Sequence, residues 1–232
     1  FCKRGPWLTT VIPSATGVWQ ANTGSSCPAT ATTHTPHGAC RQFLHWQESA
    51  LLDAQVNLAI NISSRQLLRD AFVDNLHAAL QRNGMPAQRL ILELTENALM
   101  DEQEAIAEVL QALHRMGVRI ALDNFGTGYS SFKQLSSLPI DNLKVAQPFV
   151  SQIGKDAKND AMVNTIISMA DSLDFQLVAE GVETPEQAAF LLEQGCCNVQ
   201  GFLISPPLSD VMFSNLLKSR QSQPIMDEVL DH

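Results

Sequence analysis

Six polar side chains stand at or beside the ends of six apolar runs. They are Asn61 in VNLAINI, Glu93 in LILEL, Asp123 in VRIALD, Lys144 in NLKVA, Glu180 in FQLVAE and Gln200 in NVQGFLI. A strand buried on both faces reads as a short apolar run, and an unpaired carboxylate there is costly. Carboxylate and amide oxygens together suit a hard divalent cation such as Mg²⁺ or Mn²⁺. A lysine among them can hold a phosphate or orient a water. Metal, lysine and an extra carboxylate together point to metal-assisted hydrolysis of a phosphate ester. Each residue alone has a plainer reading as a helix cap or an ion-pair partner, and Glu96 is expected to cap or flank a helix. It is the repetition over consecutive strand ends that favours chemistry. After Asp123 comes the amide Asn124, then a loop, FGTGYSS at 125–131, whose Gly126 and Gly128 allow a tight turn beside a ligand.

These groups converge only if their strands are parallel, so that all strand C-termini share one face. Helical periodicity between the runs supplies the crossovers that parallel strands need. Ile106, Val109, Leu110, Leu113 and Met116 recur at helical spacing, as do Met162, Val163, Ile166, Ile167 and Leu173. Thr184, Pro185 and Gln187 form a helix start: a cap, a proline at the first position and a capping-box glutamine. A further helix is expected near 42–52. Neither a GxGxxG loop nor a Walker loop accompanies the alternation. The expected fold is therefore α/β, with a barrel-like parallel sheet rather than a nucleotide-binding Rossmann sheet.

Composition narrows the function further. The net charge is −9 and the pI about 5.0, which argues against a nucleic-acid-binding surface. Five cysteines without a CxxC pair indicate neither a disulfide framework nor a zinc site, and buried free thiols are expected. No apolar run is long enough to span a membrane, and no signal-like start is visible. Residues 1–40 are rich in Thr, Ser, Ala, Pro and Gly, carry almost no charge and lack a period. They read as an irregular low-complexity leader with a short strand near 7–12. Residues 41–232 read as the barrel domain, its last 20 or so as a helix or tail.

The segments NISSRQL (61–67), LELTE (92–96), DNFGTGYSS (123–131), LPIDNLK (138–144), AEGVET (179–184) and QGFLISPPL (200–208) agree in order and spacing with one family. The chain resembles the EAL domain, the phosphodiesterase of bacterial cyclic di-GMP signalling. The resemblance implies a TIM-like (β/α)8 barrel of the EAL type, incomplete at its N-terminus. It implies a cytoplasmic bacterial enzyme that hydrolyses cyclic di-GMP to pGpG with two Mg²⁺ or Mn²⁺ ions. By this resemblance Asn61, Glu93, Asp123 and Asn124 stand at metal-ligand positions. Lys144 and Glu180 stand at the catalytic ones, Lys144 and Gln200 contact substrate, and Glu183 anchors the loop containing Phe125, Gly126, Thr127 and Gly128. Homodimerisation beside that loop, and sensory or GGDEF domains outside this chain, are implied as well.

Three departures from the family pattern weaken the expected activity. The Glu-Ala-Leu signature is absent, with residues 1–40 in the place of the first strands. The family's Asp-Asp is Asp123-Asn124, and its Lys-Ile-Asp is Lys144-Val145-Ala146. Ligand charge sets the affinity of a cation site, so the second ion loses most. The sequence thus implies an impaired phosphodiesterase; the alternative is an inactive EAL-like receptor or regulatory module. Loss of the first strands would bare a sheet edge, which residues 7–12 are expected to cover in part.

Overall fold

Seven parallel strands form one curled sheet with its helices on the outside. The computed structural model describes residues 9–12, 18–19, 36–49, 56–99, 103–128, 132–206 and 208–220. In chain order the strands are β1 (Thr9–Ile12), β2 (Val18–Trp19), β3 (Asn57–Asn61), β4 (Leu90–Thr95), β5 (Arg119–Phe125), β6 (Asn142–Val145), β7 (Gln176–Glu180), β8 (Asn198–Gln200) and β9 (Leu208–Ser209). The sheet order is β1-β3-β4-β5-β6-β7-β8, and β2 pairs antiparallel with β9. All six expected apolar runs are strands. Among the described residues no strand joins β8 to β1, so the barrel is incomplete at its N-terminal edge.

Strand alternation sorts the side chains into two environments. Leu58, Leu90, Leu92, Leu94, Ile120, Leu122, Leu143, Val145 and Leu177 are buried in the large core between sheet and helices. Burying each such side chain is worth about 1.5–3 kcal/mol, and this outer layer carries the hydrophobic stabilisation. The residues between them face the barrel interior. Ala59, Ile91 and Ala121 form a separate small apolar cluster there. It is a thin belt, with polar residues toward both ends of the strands.

The helices are α1 (Pro36–Glu48), α2 (Ser64–Leu67), α3 (Phe72–Asn83), α4 (Gln103–Arg115), α5 (Phe132–Ser137), α6 (Gln147–Val150), α7 (Ala157–Ser172), α8 (Pro185–Glu193) and α9 (Asp210–Arg220). In α4, Ile106, Leu110 and Leu113 are buried as the periodicity requires. In α7, Val163, Ile166 and Ile167 are buried, but Met162 is 49 % exposed and lies outside the core stripe. The capping box at the start of α8 forms as read: Gln187 N donates to Thr184 Oγ1 (3.3 Å), and Gln187 Oε1 accepts from Thr184 N (3.1 Å).

Of the first forty residues, those described, 9–12, 18–19 and 36–40, form two strands and the start of a helix. Thr9–Ile12 pairs in parallel with β3, close to the strand foreseen at 7–12, of which Trp7 and Leu8 lie outside the described residues. The helix expected near 42–52 begins at Pro36, and positions 50–52 lie outside the described residues. A proline is suited to a first helical turn, where its missing N–H goes unused. Cys40, Phe43 and Trp46 form the buried stripe of α1, which composition alone concealed. Trp46 Nε1 donates to Ser214 Oγ at 2.8 Å, and its ring centroid lies 5.0 Å from that of Phe213, so α1 is tied to α9. Cys40 and Cys196 are buried thiols as expected, whereas Cys197 is disulfide-bonded. Among the described residues no helix is long and apolar enough to cross a membrane.

Candidate active site

Lys144 is the hub of the C-terminal end of the barrel. Its Nζ lies 2.6 Å from Glu180 Oε1, 2.8 Å from Glu93 Oε2 and 3.4 Å from Asp123 Oδ1. All four side chains are about 2–3 % exposed. Four strands supply them from their C-terminal ends, staggered by two residues at two of the pairings, where Glu93 pairs with Ala121 and Lys144 with Val178. Asn61 pairs with Glu93 across β3 and β4, and Glu180 pairs with Gln200 across β7 and β8.

Between β5 and β6 the register slips: Leu122 faces Leu143, but Phe125 faces Val145. Asp123 and Asn124 together therefore oppose the single residue Lys144, a bulge of the kind that re-aims a side chain beside a site. Asn124 absorbs the kink with φ +56°, a left-handed conformation that asparagine tolerates better than most residues. Its backbone N–H donates to Asp123 Oδ1 (3.0 Å) and its Nδ2 to Asp123 Oδ2 (3.3 Å). The residue that offers no charge thus puts a donor on the neighbouring carboxylate.

Three carboxylates share one ammonium, and the electrostatics reflect that shortage. Burial pushes the Glu180 carboxyl up to about 8; Lys144 pulls it down, but Asp123 and Glu93 add to the rise. Glu93 is raised for the same leading reason, its burial, with Lys144 opposing. For Lys144 burial acts downward, yet the surrounding carboxylates outweigh it and hold the ammonium above the usual lysine range. A carboxyl with a raised folded pKa binds a proton that the unfolded chain has already released. Stability of the metal-free protein should therefore fall as pH rises from about 5 through about 8. Urea titrations at a series of pH values would show the slope. Glu180→Gln should flatten it.

The loop after Asp123 is held from below. Glu96, buried at the start of a 3-10 turn, accepts from Gly126 N (3.0 Å) and Gly128 N (2.9 Å) through Oε2. Thr127 Oγ1 donates to Asn124 O at 2.8 Å. Gly126 has φ +94°, and a side chain there would run into the Phe149 ring. Tyr129, Ser130 and Ser131 lie outside the described residues. Over the described part of the loop, 125–128, the acceptor is thus Glu96, which the sequence offered as a helix flank. Glu183 is exposed, and its backbone N–H donates to Gln187 Oε1 at 2.8 Å. A signal for Glu96 was present: a carboxylate one turn past the Glu93 strand end needs donors, and a Gly-rich loop has spare backbone N–H groups.

Two further candidates sit beside the hub. Asn61 is half-buried at the end of β3. Gln200 is half-buried, and its buried Nε2 finds no hydrogen-bond partner among the described residues. Gly201 follows it because a β-carbon there would fall on the Val182 backbone. Ala146, buried at the end of β6, offers no charge where the chain passes the cluster. Among the described residues no three acidic, histidine or cysteine side chains form a ready cation cage. The Lys144 ammonium already holds the central position.

Comparison with known proteins agrees with this fold. The family profile for the EAL domain matches residues 29–207. A bifunctional diguanylate cyclase/cyclic di-GMP phosphodiesterase, MucR of Pseudomonas aeruginosa, is 39% identical over 73% of this chain and 24% of its own. The crystal structure of the EAL domain of Mycobacterium smegmatis DcpA is 37% identical with a TM-score of 0.74, over 79% of this chain and 82% of that one. Klebsiella pneumoniae BlrP1, in a manganese and cyclic di-GMP complex, is 28% identical with a TM-score of 0.66, over 75% of this chain and 45% of that one. The first of the curated relatives is matched over only 30% of its length, so this chain spans less than a third of it. With the parallel barrel, the carboxylate–lysine cluster and the profile match in accord, the chain belongs to the EAL domain family.

Proposed function

We propose that this domain binds cyclic di-GMP at the C-terminal mouth of its barrel and hydrolyses it to pGpG only weakly. The observation that carries this reading is Lys144 set among Glu93, Asp123 and Glu180 at 2.6–3.4 Å. Support comes from relatives described as cyclic di-GMP phosphodiesterases and from the manganese and cyclic di-GMP complex of BlrP1.

Glu93, Asp123 and Asn61 offer the oxygen donors of a hard cation, and their chemistry fits one Mg²⁺ or Mn²⁺ ion. A second ion would need anionic ligands at Asn124 and Ala146, and neither side chain has a charge to give. When bound, a divalent cation would polarise the phosphodiester and acidify an attacking water. The protein's own part is separable from that. Lys144 would neutralise charge on the phosphate. Glu180, its carboxyl raised by burial, would hold or accept a proton at Oε1. Gln200 would meet the ligand through its unpaired Nε2, and Glu96 would keep the 125–128 loop in place.

The second reading, an inactive cyclic di-GMP receptor, is favoured by the Asn124 donors on Asp123. Restoring charge distinguishes the two. Asn124→Asp combined with Ala146→Asp should raise Mn²⁺-dependent pGpG release at least about tenfold over the parent chain. An unchanged rate, with Mn²⁺ affinity measured calorimetrically also unchanged, would mean that these positions do not limit activity. A cytoplasmic setting, a homodimer through the face beside the loop, and sensory or GGDEF domains elsewhere in a longer protein belong to the same proposal.

A further inference from the structure

Two loops leave the C-terminal end of the sheet beside the Lys144 cluster. One follows Asp123 on β5, and the other follows Glu180 on β7. Between those strands β6 carries Lys144 and leads into α6, which starts at Gln147. Each loop has a glycine whose missing side chain leaves room for α6. A β-carbon at Gly126 would lie 2.7 Å from Phe149 Cε2 and 3.2 Å from its Cζ. A β-carbon at Gly181, the residue after Glu180, would run into Cβ and Cγ of Gln147. Both glycines have positive φ, +94° and +69°, which already favours glycine. The close approach is a separate demand, and a single helical turn makes it at both places. Residues two apart on a helix point about 200° apart. Gln147 and Phe149 can therefore press on loops that lie to either side.

The turn that does this is itself held. Ala146 and Val150, at its two ends, are fully buried. Phe149 O accepts from Asn159 Nδ2 of α7 at 2.8 Å, and Ile166 of α7 backs Gly126 beside the Phe149 ring. We infer that α6 is a wedge that positions both loops at once. Phe149 sets the Asp123 loop through Gly126, and Gln147 sets Glu180 through Gly181, so the two carboxylates across Lys144 shift together or not at all. Both are positioning residues: they act through the glycines and not on a ligand. The consequence for binding rests on the cyclic di-GMP reading. A cation held at Asp123 needs the loop in its competent state, and apparent affinity falls with the fraction of chains in that state.

Amide hydrogen exchange in the intact, ligand-free chain tests the wedge. Gly126 and Gly128, which donate to Glu96, report on one loop. Val182 and Glu183, which donate to Gln200 O and Gln187 Oε1, report on the other. Phe149→Ala should speed exchange at Gly126 and Gly128 about tenfold, and Gln147→Ala should do the same at Val182 and Glu183. Each variant should also speed the opposite pair about threefold, with the strand amides of Leu92 and Leu143 unchanged. Gln147→Met keeps the stem and should restore protection; Phe149→Leu keeps apolar bulk and should restore part of it. Should Phe149→Ala not fold, Phe149→Leu shows the same pattern at about threefold. With cyclic di-GMP present, Phe149→Ala should raise the Mn²⁺ concentration for half-maximal binding about fivefold. Acceleration confined to the mutated side would overturn the inference, as would equal acceleration over the strands. So would a Gln147→Met variant no better than Gln147→Ala, or an unchanged Mn²⁺ requirement once the loop has loosened. Exchange is read without ligand, so a parent chain that does not bind cyclic di-GMP refutes that reading and leaves the wedge to be decided by exchange.

Discussion

Lys144→Met will cost the metal-free protein about 3–5 kcal/mol of folding stability. Methionine nearly matches the length of the lysine stem but carries no charge. Glu93, Asp123 and Glu180 would then face one another in a buried cluster that has lost the Lys144 ammonium. Removing one partner from a buried ion pair strands the other's charge, and here one substitution strands three. Protonation of Glu180 and Glu93, both already raised, will absorb part of the loss, so the deficit should be smaller at pH 6 than at pH 8. Urea denaturation gives the number. Mn²⁺ should stabilise the variant more than the parent, since a cation then replaces the missing charge. A variant within about 0.5 kcal/mol of the parent at pH 8 would show that the carboxylates do not depend on the ammonium.

Glu96→Ala should be the next largest effect, with a different signature. One carboxylate oxygen accepts from both Gly126 N and Gly128 N. Its loss leaves two loop amides without their acceptor, at about 2–4 kcal/mol. The cost falls on the loop rather than on the whole fold. Hydrogen exchange at Gly126 and Gly128 should accelerate by about two orders of magnitude, while the amides of β4 and β6 change little. Ligand affinity should drop with it, because Asp123 and Asn124 lead directly into that loop. Glu96→Gln keeps an acceptor oxygen and should recover part of both losses. Uniform exchange acceleration across the sheet would mean that Glu96 supports the core and not the loop.

Most of the site was legible in the residues because strand ends in a parallel sheet must converge. Asn61, Glu93, Asp123, Lys144, Glu180 and Gln200 all fall at the expected strand positions. The α8 start was legible for a local reason: Thr184, Pro185 and Gln187 satisfy a cap without help from the rest of the fold. What escaped depended on distant partners. The sequence signals that Glu96 needs donors, but that Gly126 N and Gly128 N supply them depends on how the loop folds back over it. The bulge that gives Lys144 two opposing residues leaves no mark in an apolar run. The strand at Thr9–Ile12 sits in a segment of leader-like composition, and its order comes from pairing with β3. Met162 shows the reverse error, an apolar residue at helical spacing that faces solvent.

Cyclic di-GMP binding at the Lys144 mouth can be tested directly. The direct measurement is equilibrium binding of labelled cyclic di-GMP to the purified chain in Mn²⁺, with the released product followed in the same samples. The expected result is saturable binding, lost in Lys144→Met variants that remain folded, together with slow formation of pGpG. Absence of binding by a folded chain would contradict the account. Hydrolysis as fast as that of an EAL domain with the full carboxylate set, run alongside, would contradict the weakening assigned to Asn124 and Ala146.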